Sequence, residues 1–198
     1  MNVTHHLFWI TSRAAGTTAI LLASLSVTLG LMMTSGRRAE SRRDLRTVHE
    51  WLSLAALAMV GLHGTALLGD AYLSPGLSGI AVPFASSYRP LWTGIGILAG
   101  YGLAALGLSY YFRNRIGAAR WKRLHRFTAL FWLAAVVHTL GTGTDAGQVW
   151  FLALCGILFV PAAALLTLRM LSRAGSTRYR PPAPPRSRGA AAPARPQP

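Results

Sequence analysis

Four histidines lie inside long apolar stretches of this sequence, where an ionisable side chain is costly. His49 and His63 share one stretch, and His125 and His138 share another. Ionisable groups at membrane depth usually mark a pathway, a proton relay or a bound cofactor, and neutral imidazole is also a common metal ligand. The sequence therefore indicates that these four residues carry chemistry.

An internal repeat relates the two stretches. TVHEWLSLAALAMVGLHG and RLHRFTALFWLAAVVHTL each contain a histidine, a long apolar run and a second histidine. The histidines are 14 residues apart in the first stretch and 13 apart in the second, so each pair spans about 20 Å of helix. Fourteen residues return a straight helix to within about 40° of the same face, whereas thirteen leave a difference of about 140°. We therefore expect either a distorted second stretch or two sites that are offset laterally.

The composition predicts an all-α integral membrane protein. Of the 198 residues, 52% are hydrophobic and only 13% are charged, a balance that does not suit a soluble domain. The apolar residues form five blocks, most of them long enough to cross about 30 Å of hydrocarbon. We expect five transmembrane helices, at residues 14–34, 47–69, 91–112, 124–140 and 149–171.

The positive charge predicts orientation rather than nucleic-acid binding. The net charge is +15, and most of the basic residues lie at residues 37–46, 113–126 and 169–195. In a five-pass topology these three clusters fall on one side, which the positive-inside rule assigns to the cytoplasm. We therefore expect a multi-pass protein of the cell membrane with its N-terminus outside and its C-terminus in the cytoplasm.

The remaining segments predict little folded structure outside the membrane. Residues 1–13 are expected to be a short extracytoplasmic leader before a retained first helix, because the strong arginine run follows the apolar block. Residues 173–198 are rich in Pro, Arg and Ala and predict a disordered cytoplasmic tail near anionic lipid. No glycine-rich phosphate loop is visible, and the single cysteine, Cys155, excludes an intrachain disulfide.

The expected topology places the histidines at two depths. The two histidine-containing helices run in the same direction, so His49 and His125 share the inner depth and His63 and His138 share the outer one. Two imidazoles at each depth suit two haem irons, each ligated axially by one histidine from either helix. For any single histidine, a hydrogen-bonded polar residue in a bundle core remains an alternative.

The paired histidines resemble the ferric reductase-like transmembrane domain, the superfamily of the NADPH oxidases, ferric reductases and haem subunits of bacterial methionine sulfoxide reductase systems. WKRLHR, residues 121–126, is similar to the approach to that family's second haem-binding helix. VPFASSYRPLW and LGTGTDAG resemble loops of actinobacterial members with this domain alone. The resemblance identifies residues 14–172 as a haem-binding domain. It implies two b-type haems stacked across the bilayer, carrying single electrons between a cytoplasmic flavin and an acceptor outside.

The sequence departs from the larger members of that family. NADPH oxidases and ferric reductases carry a C-terminal flavin and nicotinamide domain and commonly six helices, neither of which is predicted here. We therefore expect an electron-transfer subunit whose donor is a separate flavoprotein or a quinol, with an unidentified extracytoplasmic acceptor. A histidine-based metal ion or proton transporter is the alternative, although Glu50 is the only acid near these helix interiors.

A few charged residues are candidates to support the cofactor or its acceptor. Three arginines lie within three residues of the inner histidines and could pair with haem propionates, although topology explains them equally well: Arg46, Arg123 and Arg126. Arg89 is the corresponding candidate on the outer side. Asp70 and Asp145 are the only acids expected outside, facing either a cationic acceptor or solvent.

Overall fold

The computed structural model describes residues 3–33 and 39–178, and within these ranges the chain forms helices and turns without strands. The helices are α1 (Val3–Met32), α2 (Ala39–Leu68), α3 (Gly76–Ala81), α4 (Pro90–Leu108), α5 (Arg113–Ile116), α6 (Ala118–His125), α7 (Thr128–Thr142) and α8 (Val149–Arg178). A 3₁₀ turn, Ser109–Phe112, joins α4 to α5. The expected all-α fold is confirmed for the described residues.

Within the described residues, four segments are long and apolar enough to cross a membrane: His6–Met32, Arg43–Leu68, Pro90–Ile116 and Val149–Leu171. They correspond to the first, second, third and fifth predicted blocks. The fourth block corresponds to α7, which has only 15 residues and falls short of the roughly 20 that a full span needs. A multi-pass membrane protein is supported, whereas a fifth span remains a prediction.

The longer helices form two antiparallel pairs. α1 packs along α2, and α4 packs along α7, while α1 also contacts α7 and α8. By contrast, α2 makes only slight backbone contact with α4. The histidine-bearing α2 therefore meets the α4–α7 pair mainly through its side chains.

A buried tryptophan joins α7 to α1 and α8. Trp132 is 1% exposed, and its Nε1–H donates to the Ser24 hydroxyl at 2.9 Å. Ser24 in turn donates to the carbonyl oxygen of Ile20 at 2.6 Å, and Ala162 of α8 completes the core. An indole N–H without a partner would carry a desolvation cost in such a core. The serine satisfies this donor and fixes α7 against α1.

The two ends of the chain contain more helix than the sequence predicts. Helix α1 begins at Val3, inside the expected leader, and α8 continues to Arg178, past the expected start of the tail. The rest of the predicted tail, residues 179–198, lies outside the described residues.

Candidate functional site

The four histidines meet as two pairs between the helices. The rings of His49 and His125 have centroids 6.2 Å apart and planes at 88°. The rings of His63 and His138 have centroids 6.4 Å apart and planes at 71°. The structure thus brings together the same partners that the depth argument pairs.

An interruption of the helix between the two histidines explains how they can be 13 residues apart. His125 is the last residue of α6, and α7 starts at Thr128. Between them, the Phe127 N–H bonds the Leu124 carbonyl, a tighter 3₁₀-type contact. His125 and His138 therefore lie on two different helices, and the mismatch of about 140° expected for one straight helix does not apply. Of the two sequence-based expectations, distortion of this stretch is the one observed.

Each histidine directs its Nδ1 atom at a backbone carbonyl oxygen. The carbonyl partners and distances are Ser26 at 2.9 Å for His49, Ser12 at 2.8 Å for His63, Trp92 at 2.9 Å for His138, and Leu106 at 3.4 Å for His125. A carbonyl oxygen only accepts hydrogen bonds, so Nδ1 must carry the proton of each neutral ring. The lone pair then resides on Nε2, the atom left available for a metal.

Helix α1 contacts each histidine of α2 through one serine. Ser12 and Ser26 are 14 residues apart, like the two histidines they face. Their hydroxyl oxygens lie 3.0 Å from Nδ1 of His63 and 2.9 Å from Nδ1 of His49. Each hydroxyl also donates to the carbonyl oxygen of its histidine, at 3.3 and 3.4 Å. The hydroxyl and the carbonyl of one serine thus hold one imidazole.

Glycines make room for three of the rings. A Cβ atom at Gly16 would lie 2.9 Å from Nδ1 of His63, and one at Gly30 would lie 3.3 Å from Cε1 of His49. On α4, a Cβ at Gly96 would overlap the ring of His138. The two α1 glycines follow Ser12 and Ser26 by four residues, as SRAAG and SVTLG. This Ser-x-x-x-Gly repeat was visible in the sequence, but small residues are common wherever membrane helices pack.

The separation of the rings fits two imidazoles on one metal ion. An imidazole nitrogen binds a metal at about 2.0 Å, and with a ring radius of about 1.1 Å, two rings on opposite sides have centroids about 6.2 Å apart. The observed values are 6.2 and 6.4 Å. In the described part of the chain, no group of three or more His, Cys, Asp or Glu side chains could hold a bare ion. Two axial imidazoles instead suit a metal whose other ligands come from a macrocycle, as in haem.

The charged candidates take varied positions. Three are exposed beside the inner histidines: Arg46, Arg123 and Arg126. Arg89 is exposed, donates to the carbonyl oxygen of Gly141 just after His138, and lies over the ring of Tyr88.

The two acids expected outside are engaged within the protein. Asp145 forms an ion pair with Arg13 of α1. Asp70 is 2% exposed, and its Oδ1 accepts from the Tyr72 N–H at 2.8 Å. Burial within this turn means that Asp70 faces neither solvent nor an external acceptor.

Comparison with known proteins gives one match. The family model described as ferric reductase like transmembrane component matches residues 15–136. This span covers more than half of the chain and includes three of the four paired histidines, ending two residues before His138. No curated protein and no solved structure matches the chain.

Proposed function

Because the chain belongs to the ferric reductase-like transmembrane family, we propose that it is a b-type membrane cytochrome that passes single electrons across the bilayer. It acts as the haem subunit of a ferric reductase-like or related oxidoreductase system. The observation that carries the proposal is the presence of two pairs of neighbouring imidazoles, in which every Nδ1 atom lies near a backbone carbonyl oxygen. The spacing of these rings supports the proposal, because it leaves room for one iron between the two imidazoles of each pair.

The histidines would divide between two haems b. His49 and His125 would hold the inner iron, and His63 and His138 would hold the outer one. When bound, the haem supplies the one-electron chemistry. The protein supplies the ligands, fixes their orientation through Nδ1 and keeps water from the sites with the apolar surface of its helices. Arg46, Arg123 and Arg126 at the inner site, and Arg89 at the outer site, are the cations available to the propionates.

The proposed electron transfer needs a donor on one side of the membrane and an acceptor on the other. We propose a separate flavoprotein or a quinol as donor, so that flavin enters only through a partner, and an extracytoplasmic acceptor. In this arrangement the protein lies in the cell membrane, with the N-terminus outside and the inner haem towards the cytoplasm. The exposed basic residues beside His125 are consistent with this orientation.

The decisive experiment is a reduced-minus-oxidised absorbance spectrum of the purified protein, with haem and iron quantified. We expect about two haems per chain in the wild type and about one in His49→Ala or His63→Ala, since each site loses one of its two axial ligands. His6→Ala is the matched control, because His6 is exposed on α1 and belongs to neither pair.

Two results would contradict the proposal. A folded wild-type protein without haem bands, checked by its helical circular dichroism, would exclude a cytochrome. Full haem content in both histidine variants would show that the assigned ligands are wrong. Tight binding of zinc or iron without porphyrin would favour the metal transporter instead.

A further inference from the structure

His125 is held differently from the other three histidines. Its Nδ1 lies 3.4 Å from the Leu106 carbonyl oxygen, whereas the other three carbonyl contacts are 2.8–2.9 Å. The Ser109 hydroxyl donates to the same Leu106 oxygen at 2.6 Å. The acceptor that His125 needs is therefore shared with a closer donor, and the orientation of this imidazole is weakly fixed by hydrogen bonding.

The indole ring of Trp121 also contacts the His125 imidazole. Trp121 precedes His125 by one helical turn on α6 and stacks on its ring, with centroids 4.9 Å apart and planes at 25°. The Trp121 Nε1–H donates to the Ser109 hydroxyl at 3.1 Å, which fixes the indole itself. The Tyr110 ring also contacts the indole, with ring centroids 5.8 Å apart. Stacking of this kind leaves the in-plane Nε2 atom of His125 free.

We propose that Trp121 is the positioning residue of the inner haem site, holding His125 as an axial ligand by ring stacking in place of a short Nδ1 hydrogen bond. This inference rests on the proposed function. Hydrogen bonds connect this unit: Trp121 donates to Ser109, and Ser109 donates to the Leu106 carbonyl oxygen that His125 also approaches. Among the described residues, the other three histidines form no such stack, and their ring contacts are those within each histidine pair.

Carbon monoxide is the probe for this role. A six-coordinate ferrous haem with two firmly held histidines does not bind it, whereas a haem that has lost one axial ligand does. We expect wild-type protein to show no carbon monoxide complex. Trp121→Ala and Trp121→Leu should form the complex at one of the two haems or lose that haem, because an aliphatic side chain cannot stack on the imidazole.

A comparison of aromatic and aliphatic replacements shows whether Trp121 orients His125 by stacking or only fills space. Trp121→Phe keeps an aromatic face and should bind much less carbon monoxide than Trp121→Leu, which is apolar but not aromatic. Trp51→Ala is the matched control: Trp51 is 69% exposed on α2, two residues from His49. It should leave both haems without a carbon monoxide complex.

Several outcomes would overturn the inference without touching the proposed function. These are two retained haems with no carbon monoxide binding in both aliphatic variants, or equal binding in the Phe and Leu variants. Loss of both haems in Trp121→Ala and Trp121→Leu would also overturn it, because the residue would then serve the whole bundle. A wild-type protein without haem would instead overturn the proposed function.

Discussion

At the scale of single residues, each of the two serines Ser12 and Ser26 contacts one histidine. Both serines are buried, at 3% and 5% exposure, and each approaches a different imidazole. A hydrogen bond accepted from Nδ1–H makes an imidazole more electron-donating towards a metal on Nε2. Each serine should therefore influence the potential of one haem and not the other.

Replacing either serine should raise the midpoint potential of one haem. In Ser12→Ala the outer haem, and in Ser26→Ala the inner haem, should shift because the less electron-donating ligand stabilises ferric iron less. The carbonyl oxygens remain, so both haems should stay bound. A hydrogen bond worth about 1 kcal/mol corresponds to about 40 mV for one electron.

A potentiometric titration followed by absorbance measures these shifts as two one-electron components. Thr28→Ala is the control, because its hydroxyl donates to the Ser24 carbonyl oxygen on the same helix and, among the described residues, forms no hydrogen bond with a histidine. Equal shifts of both components in either serine variant would contradict the one-serine, one-haem assignment.

At the scale of elements, the sequence predicted the apolar helices better than it predicted the parts that hold the histidines. Apolar runs are set by membrane thickness, so the four long spans were readable from composition. The carbonyl oxygens of Trp92 and Leu106 have no side-chain signature, so the role of α4 was not predictable from residue types. The 13-residue spacing indicated a distortion, but no proline or glycine marks where it lies.

The break between α6 and α7 sets the rotation of α7 relative to His125. Inserting one alanine after Phe127 should rotate everything that follows by about 100°. His138 would then leave His63, whereas His125 lies before the insertion and would keep its position opposite His49. We expect the haem content to fall from about two to about one per chain, with the inner haem retained.

Haem quantification together with the carbon monoxide spectrum checks this insertion. An alanine inserted after Gly143, in the loop beyond α7, is the control and should retain both haems. Two haems in the Phe127 insertion would mean that α7 does not have to keep its rotation for the outer site.

At the scale of the whole molecule, the proposed function needs the two histidine pairs to act as a series across the membrane. His49 and His63 are 14 residues apart on one continuous helix, α2, so the two sites are about 20 Å apart along it. Neither pair alone covers about 30 Å of hydrocarbon. Passage of an electron from one surface to the other should therefore need both sites.

Vesicles with trapped ferricyanide and external dithionite test this requirement directly. Wild-type protein should reduce the trapped ferricyanide well above the rate of protein-free vesicles, as should the His6→Ala control. His49→Ala and His63→Ala should each fall to the protein-free rate, although each is expected to retain one haem, because the remaining site leaves half of the membrane without a carrier. Wild-type rates in either variant would show that a single site suffices and that the electrons do not pass through the two pairs in series.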